Sequence, residues 1–179
     1  MSVEALAVFL IISDSQTGEV YKRFHNALAR NDDGSIKTKY TTSFVEGTMQ
    51  GYSYIPFVYQ GGTLNRNGDN ITAGLAMAPN EISMQHAAQM TQTVSADGQE
   101  RYPMTVRAIL MRMEPDRFKP IQGGVVTDEV WVAAAMSYTA DALEITLSSA
   151  IDAVNALAPS YSLNRMNVGQ LPVTGSLRV

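Results

Sequence analysis

Cysteine is absent from the 179 residues, which removes disulfides, thiol catalysis and every cysteine-based metal site at once and leaves the redox compartment open. Basic clusters are missing too. Thirteen Lys and Arg against 17 Asp and Glu give a formal charge of −4, so the electrostatic footprint of a nucleic-acid binder is not expected. No apolar run approaches the ~20 residues that a spanning helix needs. The apolar run from Ala5 to Ile12 is preceded by Glu4 rather than by basic residues, and no small-residue cleavage site follows it. It reads as a buried strand, in a soluble protein made in the cytoplasm with no membrane partner.

Histidine is scarce as well, and His25 and His86 stand in unrelated contexts, the first after a strand and the second inside a helix. Each reads as a hydrogen-bonded surface residue, since neither pairs at helical or strand spacing with another histidine or a carboxylate. Asn65, Asn67 and Asp69 alternate like calcium ligands, but position twelve, where a bidentate acid belongs, is Ala76. Asn31, Asp33 and Ser35 fail in the same way at Thr42. Gly61, Gly62 and Gly68 lack the Gly-Lys-Ser/Thr end of a phosphate loop, and Gly51-Tyr52-Ser53-Tyr54 lacks the second glycine of a nucleophile elbow. Asp128, Glu129, Asp141 and Glu144 read as solvated strand faces. No catalytic, metal or cofactor residue is expected, and the chain is not read as an enzyme.

What the chain does have is alternation. Leu143, Ile145 and Leu147 alternate with Glu144, Thr146 and Ser148, the period of a strand with one wet face. Before it, Val130, Val132 and Ala134 alternate with Trp131, Ala133 and Ala135, so both faces are apolar and a strand covered on two sides is expected. Thr139 to Ala142 is a connection of the length that joins antiparallel neighbours. The two segments therefore predict a hairpin.

Further strands are expected at Val20 to Phe24 after an Asp14–Gly18 turn, at Tyr52 to Tyr59, at Ile71 to Met77 and at Met104 to Met113. Pro56 marks an edge or a bulge, and Asn65 to Asn70 form a hairpin turn. Asn80 caps a helix over about 81–91. Asp97-Gly98 is a turn, and residues 115–124 read as a loop. Residues 32–51 form an extended, exposed arm, or one folded back as a weak hairpin, whose apolar anchors are Phe44, Val45 and Met49. From residue 159 a tail carries Tyr161, Leu163, Met166, Val168, Leu171 and Val173 at anchor spacing. It is either disordered or packed on another subunit, and the anchors favour the second. The fold class expected is mainly β, a β-rich α+β domain: a small closed or partly open antiparallel barrel or sandwich over residues 1–158 with one helix, the arm and the tail.

The strand, short turn and "LEITLSSAIDAV" of the hairpin resemble the corresponding segment of the L-type minor tail proteins of lambda-like long-tailed phages. Tyr54-Ile55-Pro56-Phe57-Val58 falls where that family has a strand ending in an aromatic-proline run, and Ile71 to Ala78 where it has a core strand. The resemblance runs loosely over residues 3–158. It implies a structural virion protein of the tail tip or baseplate, a hub or hub adaptor forming a trimeric or hexameric ring between the tail tube or distal tail protein and the central hub or fibre protein. Phe44, Val45 and Met49 and the six anchors of the tail are the interface candidates. The family continues into a cysteine-bearing region that holds an iron–sulfur cluster; without cysteine this chain resembles its first domain only. Two other classes compete: a carbohydrate- or cell-surface-binding module stacking sugars on Tyr52, Tyr54 and Tyr59, and a hydrolase using His25 or His86 with a carboxylate.

Overall fold

Residues Ala5 to Ser13 form strand β1, and its side chains enter two different hydrophobic cores. Val8, Leu10 and Ile12 face the larger one, with Phe24, Leu75, Trp131, Leu143, Ile145 and Leu147. Ala7, Phe9 and Ile11 face the smaller one, with Tyr52, Ile109, Met111 and Met113. A strand covered on both sides has no wet face, which is why its sequence is apolar without alternation. The computed structural model describes residues 5–28, 30–31, 33–64, 71–91, 102–114 and 119–149.

The remaining elements are β2 (Val20–His25), β3 (Lys39–Thr42), β4 (Gln50–Tyr54), β5 (Phe57–Leu64), β6 (Ile71–Met77), α1 (Glu81–Thr91), β7 (Thr105–Glu114), β8 (Lys119–Tyr138) and β9 (Leu143–Ser148). The nine strands form one sheet in the order β3-β4-β2-β1-β7-β8-β9-β6-β5. The fold is thus mainly β with a single described helix, as expected. The sheet is not closed into a barrel; β3 and β5 are its two edges. Nor is it wholly antiparallel: β2 and β4 run parallel, Phe24 opposite Ser53 and His25 opposite Tyr54. The intervening residues 26–49 supply the long crossover that a parallel pair requires.

Local signals were reliable. The opening hairpin pairs Phe9 with His25 and Ile11 with Arg23, although a register shift between Ile12 and Ser13 breaks the simple alternation of β2. The β8–β9 hairpin closes with Tyr138 opposite Leu143. In β9, Leu143, Ile145 and Leu147 are buried while Glu144 and Thr146 are exposed. Asn80 caps α1: its side-chain oxygen accepts from the Ser83 amide at 2.8 Å, and the Ser83 hydroxyl accepts from the Asn80 amide at 3.0 Å. The helix covers the larger core with Ala87 and Met90, leaving Ile82 and Met84 exposed.

Three expectations are corrected. Tyr52 to Tyr59 is not one strand: Ile55 and Pro56 separate β4 from β5, and the chain passes there to the opposite edge of the sheet. The missing Pro56 donor marks a crossing between strands. Residues 119–124, read as loop, belong to the 20-residue strand β8. β8 absorbs its irregular stretch through register shifts against β7 and through Gly123, whose φ is +70°. A Cβ at Gly124 would lie 2.7 Å from the Ile121 carbonyl oxygen, so the next position also demands glycine. Finally, Val130 and Ala134, expected to be covered, are exposed, because the arm over the outer face is centred on β1 and β7. The expected turns at 65–70 and 97–98 and the 159–179 tail, with Tyr161, Leu163, Met166, Val168, Leu171 and Val173, lie outside the described residues.

Candidate functional site

The segment from β3 to β4 is the arm expected around residues 32–51; it takes the folded-back form, an antiparallel hairpin paired into the sheet. Tyr40 lies opposite Tyr52 and Thr42 opposite Gln50. The turn between the strands is tightened by Gly47, with φ at +76°, whose amide donates to the Ser43 carbonyl at 2.9 Å. This turn carries the three arm candidates. Phe44 is 43% and Met49 68% exposed, while Val45 is half-buried against the smaller core.

Glu46 fixes the turn to the sheet. Both its oxygens accept from Arg23 of β2, at 2.7 and 3.0 Å, and one also accepts from the Tyr52 hydroxyl at 2.5 Å. The Arg23 hydrogen bonds hold the Glu46 carboxyl below its ordinary range, against the opposing effect of burial. Burial, then the hydrogen bond to Glu46, pushes the Tyr52 phenol up. On the same outer face Arg107 makes a two-pronged pair with Asp128, at 2.8 and 2.6 Å. Asp128 is therefore held below its usual range by Arg107, and is not simply a solvated carboxylate.

The aromatic run does not form a sugar platform as drawn. Tyr52 is completely buried, edge-on to Phe9 at 5.1 Å. Tyr59 turns inward, its hydroxyl donating to Glu129 and accepting from Trp131 Nε1 at 2.7 Å. Tyr54 stacks obliquely on His25 at 5.6 Å. His25 is likewise no surface residue: it is fully buried with neither ring nitrogen hydrogen-bonded. His86 is half-buried, with Nδ1 3.2 Å from the Tyr21 hydroxyl, and burial lowers its pKa. Among the described residues no three His, Asp or Glu side chains cluster as metal ligands, and no helix is long and apolar enough to cross a membrane.

The surface that sequence reasoning missed lies on β8. Val125, Val126, Val130, Met136 and Tyr138 are each between 41 and 57% exposed. Val130 sits opposite Arg107 on the outer face, beside the part that the arm covers. The signal was present in the apolar character of both faces of this strand, but sequence could not say which stretches of it the chain itself covers. The sheet edges differ: β3 is short, begins at Lys39 and follows Lys37, whereas β5 carries no charge and exposes Val58.

No protein-family model matches the chain, and no curated protein sequence matches it. Among solved structures it is similar to a chain described as "Virion of native gene transfer agent (GTA) particle", at 12% identity and a TM-score of 0.41, over 89% of this chain and 44% of that one. The chain therefore spans less than half the length of that structure's chain, and a likeness this distant bears on neither family nor function.

Proposed function

We propose that the chain is a structural component of a phage-type virion, forming a ring at the tail tip or baseplate that joins the tail tube to the central hub or fibre. The observation that supports this best is β8: Val125 and Val130 on the outer face, and Met136 and Tyr138 opposite Ile145 and Leu143 on the inner one, are apolar side chains that the described residues leave exposed. Exposed valines on β8 and an open, uncharged strand edge at β5 are liabilities in a monomer, and closed rotational symmetry is the ordinary means of burying them. Phe44 and Met49 add apolar surface on the arm, and the hairpin that carries the sequence resemblance is the one that contains this strand. The partners in this reading are further copies of the chain and neighbouring tail proteins, with no nucleic acid or membrane contact. It assigns no cofactor and no catalytic step.

The test is the mass of the purified protein by light scattering. A trimer or hexamer that falls to monomer when residues 160–179 are removed, or in Val130→Asp, supports the ring. A monomer at every concentration, which also fails to bind isolated tail tubes lacking a tip, sinks it.

A further inference from the structure

His25 lies where the arm meets the sheet. A neutral imidazole has one donor and one acceptor, and here both are buried without a partner, a cost that the fold retains. The ring's walls come from three strands: Phe9 of β1 at 6.2 Å, Tyr40 of β3 at 5.8 Å and Tyr54 of β4 at 5.6 Å. On these strands, on β2 and on β7, the titratable or charged groups near this face are Tyr40, Tyr52 and Tyr54, exposed Lys22 and Lys39, and the Arg23–Glu46 and Arg107–Asp128 pairs. No carboxylate serves the imidazole: Glu46 is occupied by Arg23 and Tyr52, and Asp128 by Arg107.

A protonated ring would place a charge and a second donor in this cage, and the interaction with the Ala27 backbone that favours the charged form offsets only part of the cost of burial. Hydrating it requires a wall to move, and the walls are unequal. β1 is paired along its length with β7, from Ala5 to Ser13, and with β2 from Phe9 onward. β4 is laddered to β2 through only two residue pairs, and β3 is a four-residue edge strand.

We propose that His25 is an acid-operated latch: neutral, it completes the smaller core; protonated, it lifts β3 and β4 off Phe9 while the rest of the sheet stays paired. Burial holds the folded-state imidazole down to about 4, whereas an exposed one titrates at 6.5. The open arm therefore binds the proton more readily, and gains on the closed arm as pH falls from about 6.5 towards 4. The Glu46 carboxyl, held below its ordinary range by Arg23, titrates below the pH at which an exposed imidazole begins to take up protons, so it does not start the step. Opening uncovers Phe9, Tyr52, Ile109 and Met111, an apolar surface that the closed form hides. This inference does not depend on the virion reading.

Amide hydrogen exchange on the full chain between pH 7 and 4, expressed as protection relative to intrinsic rates, is the test. Protection over residues 39–54 should fall by about tenfold or more, while β8 and β9 stay protected. His25→Phe and His25→Leu should abolish the step, and Glu46→Gln should lower protection at every pH but keep it. A step that persists in both His25 variants, or that appears at the same pH in β8 and β9, overturns the latch. Should both variants fail to fold, the ring is titrated by NMR in the natural chain. A midpoint near 4 that coincides with the arm amides supports the latch, and one near 6.5 with an unmoved arm overturns it.

Discussion

The Asn26 side-chain amide donates to the Phe57 carbonyl at 3.2 Å, joining the end of β2 to the first residue of the far edge strand. The side-chain oxygen accepts from the Val8 amide at 2.8 Å, and the Asn26 backbone amide donates to the Val8 carbonyl at 3.2 Å. One asparagine thus links β1, β2 and β5 at the point where the sheet fails to close through its backbone.

Asn26→Ala leaves the Val8 amide and the Phe57 carbonyl without these partners. A loss of about 1–3 kcal/mol is expected in urea unfolding, with Asn26→Asp losing the bond to Phe57 but keeping an acceptor for Val8. A loss below about 0.5 kcal/mol for Ala would mean that water replaces the tie.

The Arg23–Glu46 pair gives an acid dependence of its own. Glu46 has a folded pKa below its ordinary value, so its contribution is complete above about 4.5 and disappears as pH falls through the lower folded value. Glu46→Gln should cost about 1 kcal/mol at pH 7, and the difference from the natural chain should vanish at about pH 2. A difference that stays constant across that range would show that the lost side chain acts by shape alone.

Trp131 is the sole tryptophan, and its indole donates to Tyr59 at 2.7 Å and to Glu129 at 3.2 Å from a nearly buried position. Tyr59→Phe and Glu129→Gln should each change the emission maximum without unfolding the chain. The Tyr59 change should cost about 1–2 kcal/mol. An unaltered spectrum in both variants would place the indole elsewhere.

Asn80→Ala removes the acceptor that holds the Ser83 amide and should destabilise the protein by about 1 kcal/mol, while Asn80→Asp should be close to neutral. Equal losses in thermal unfolding for the two variants would exclude capping as the cause.

The features legible in the sequence were those fixed by neighbours along the chain. The β9 alternation, the Asn80 cap and the short Thr139–Ala142 connection each depend on a few consecutive residues, and each takes the expected form. The misread features depend on distant ones. Whether Val130 is wet depends on how far the arm reaches over the outer face, and nothing near Val130 encodes that. His25 is buried because β4 returns parallel to β2 and brings Tyr54 beside it, a pairing without a local signature. Pro56 was recognised as an interruption, but that the chain crosses there to the other edge of the sheet is a property of the whole topology. At the candidate interface, the apolar character of Phe44 and Met49 was visible while the half-burial of Val45 was not, because the fold of the turn decides it.

The two-sided burial of β1 also orders events during synthesis. Its partner on one side, β2, follows within a few residues, but its partner on the other is β7, with Ala5 opposite Met113. At roughly 5–20 residues per second, the most apolar strand of the molecule waits several seconds on the ribosome before that partner emerges. Neither core can form around it until then, so the waiting hairpin is a target for chaperones that hold nascent chains. Stalled nascent chains should turn protease-resistant only once β7 has cleared the exit tunnel.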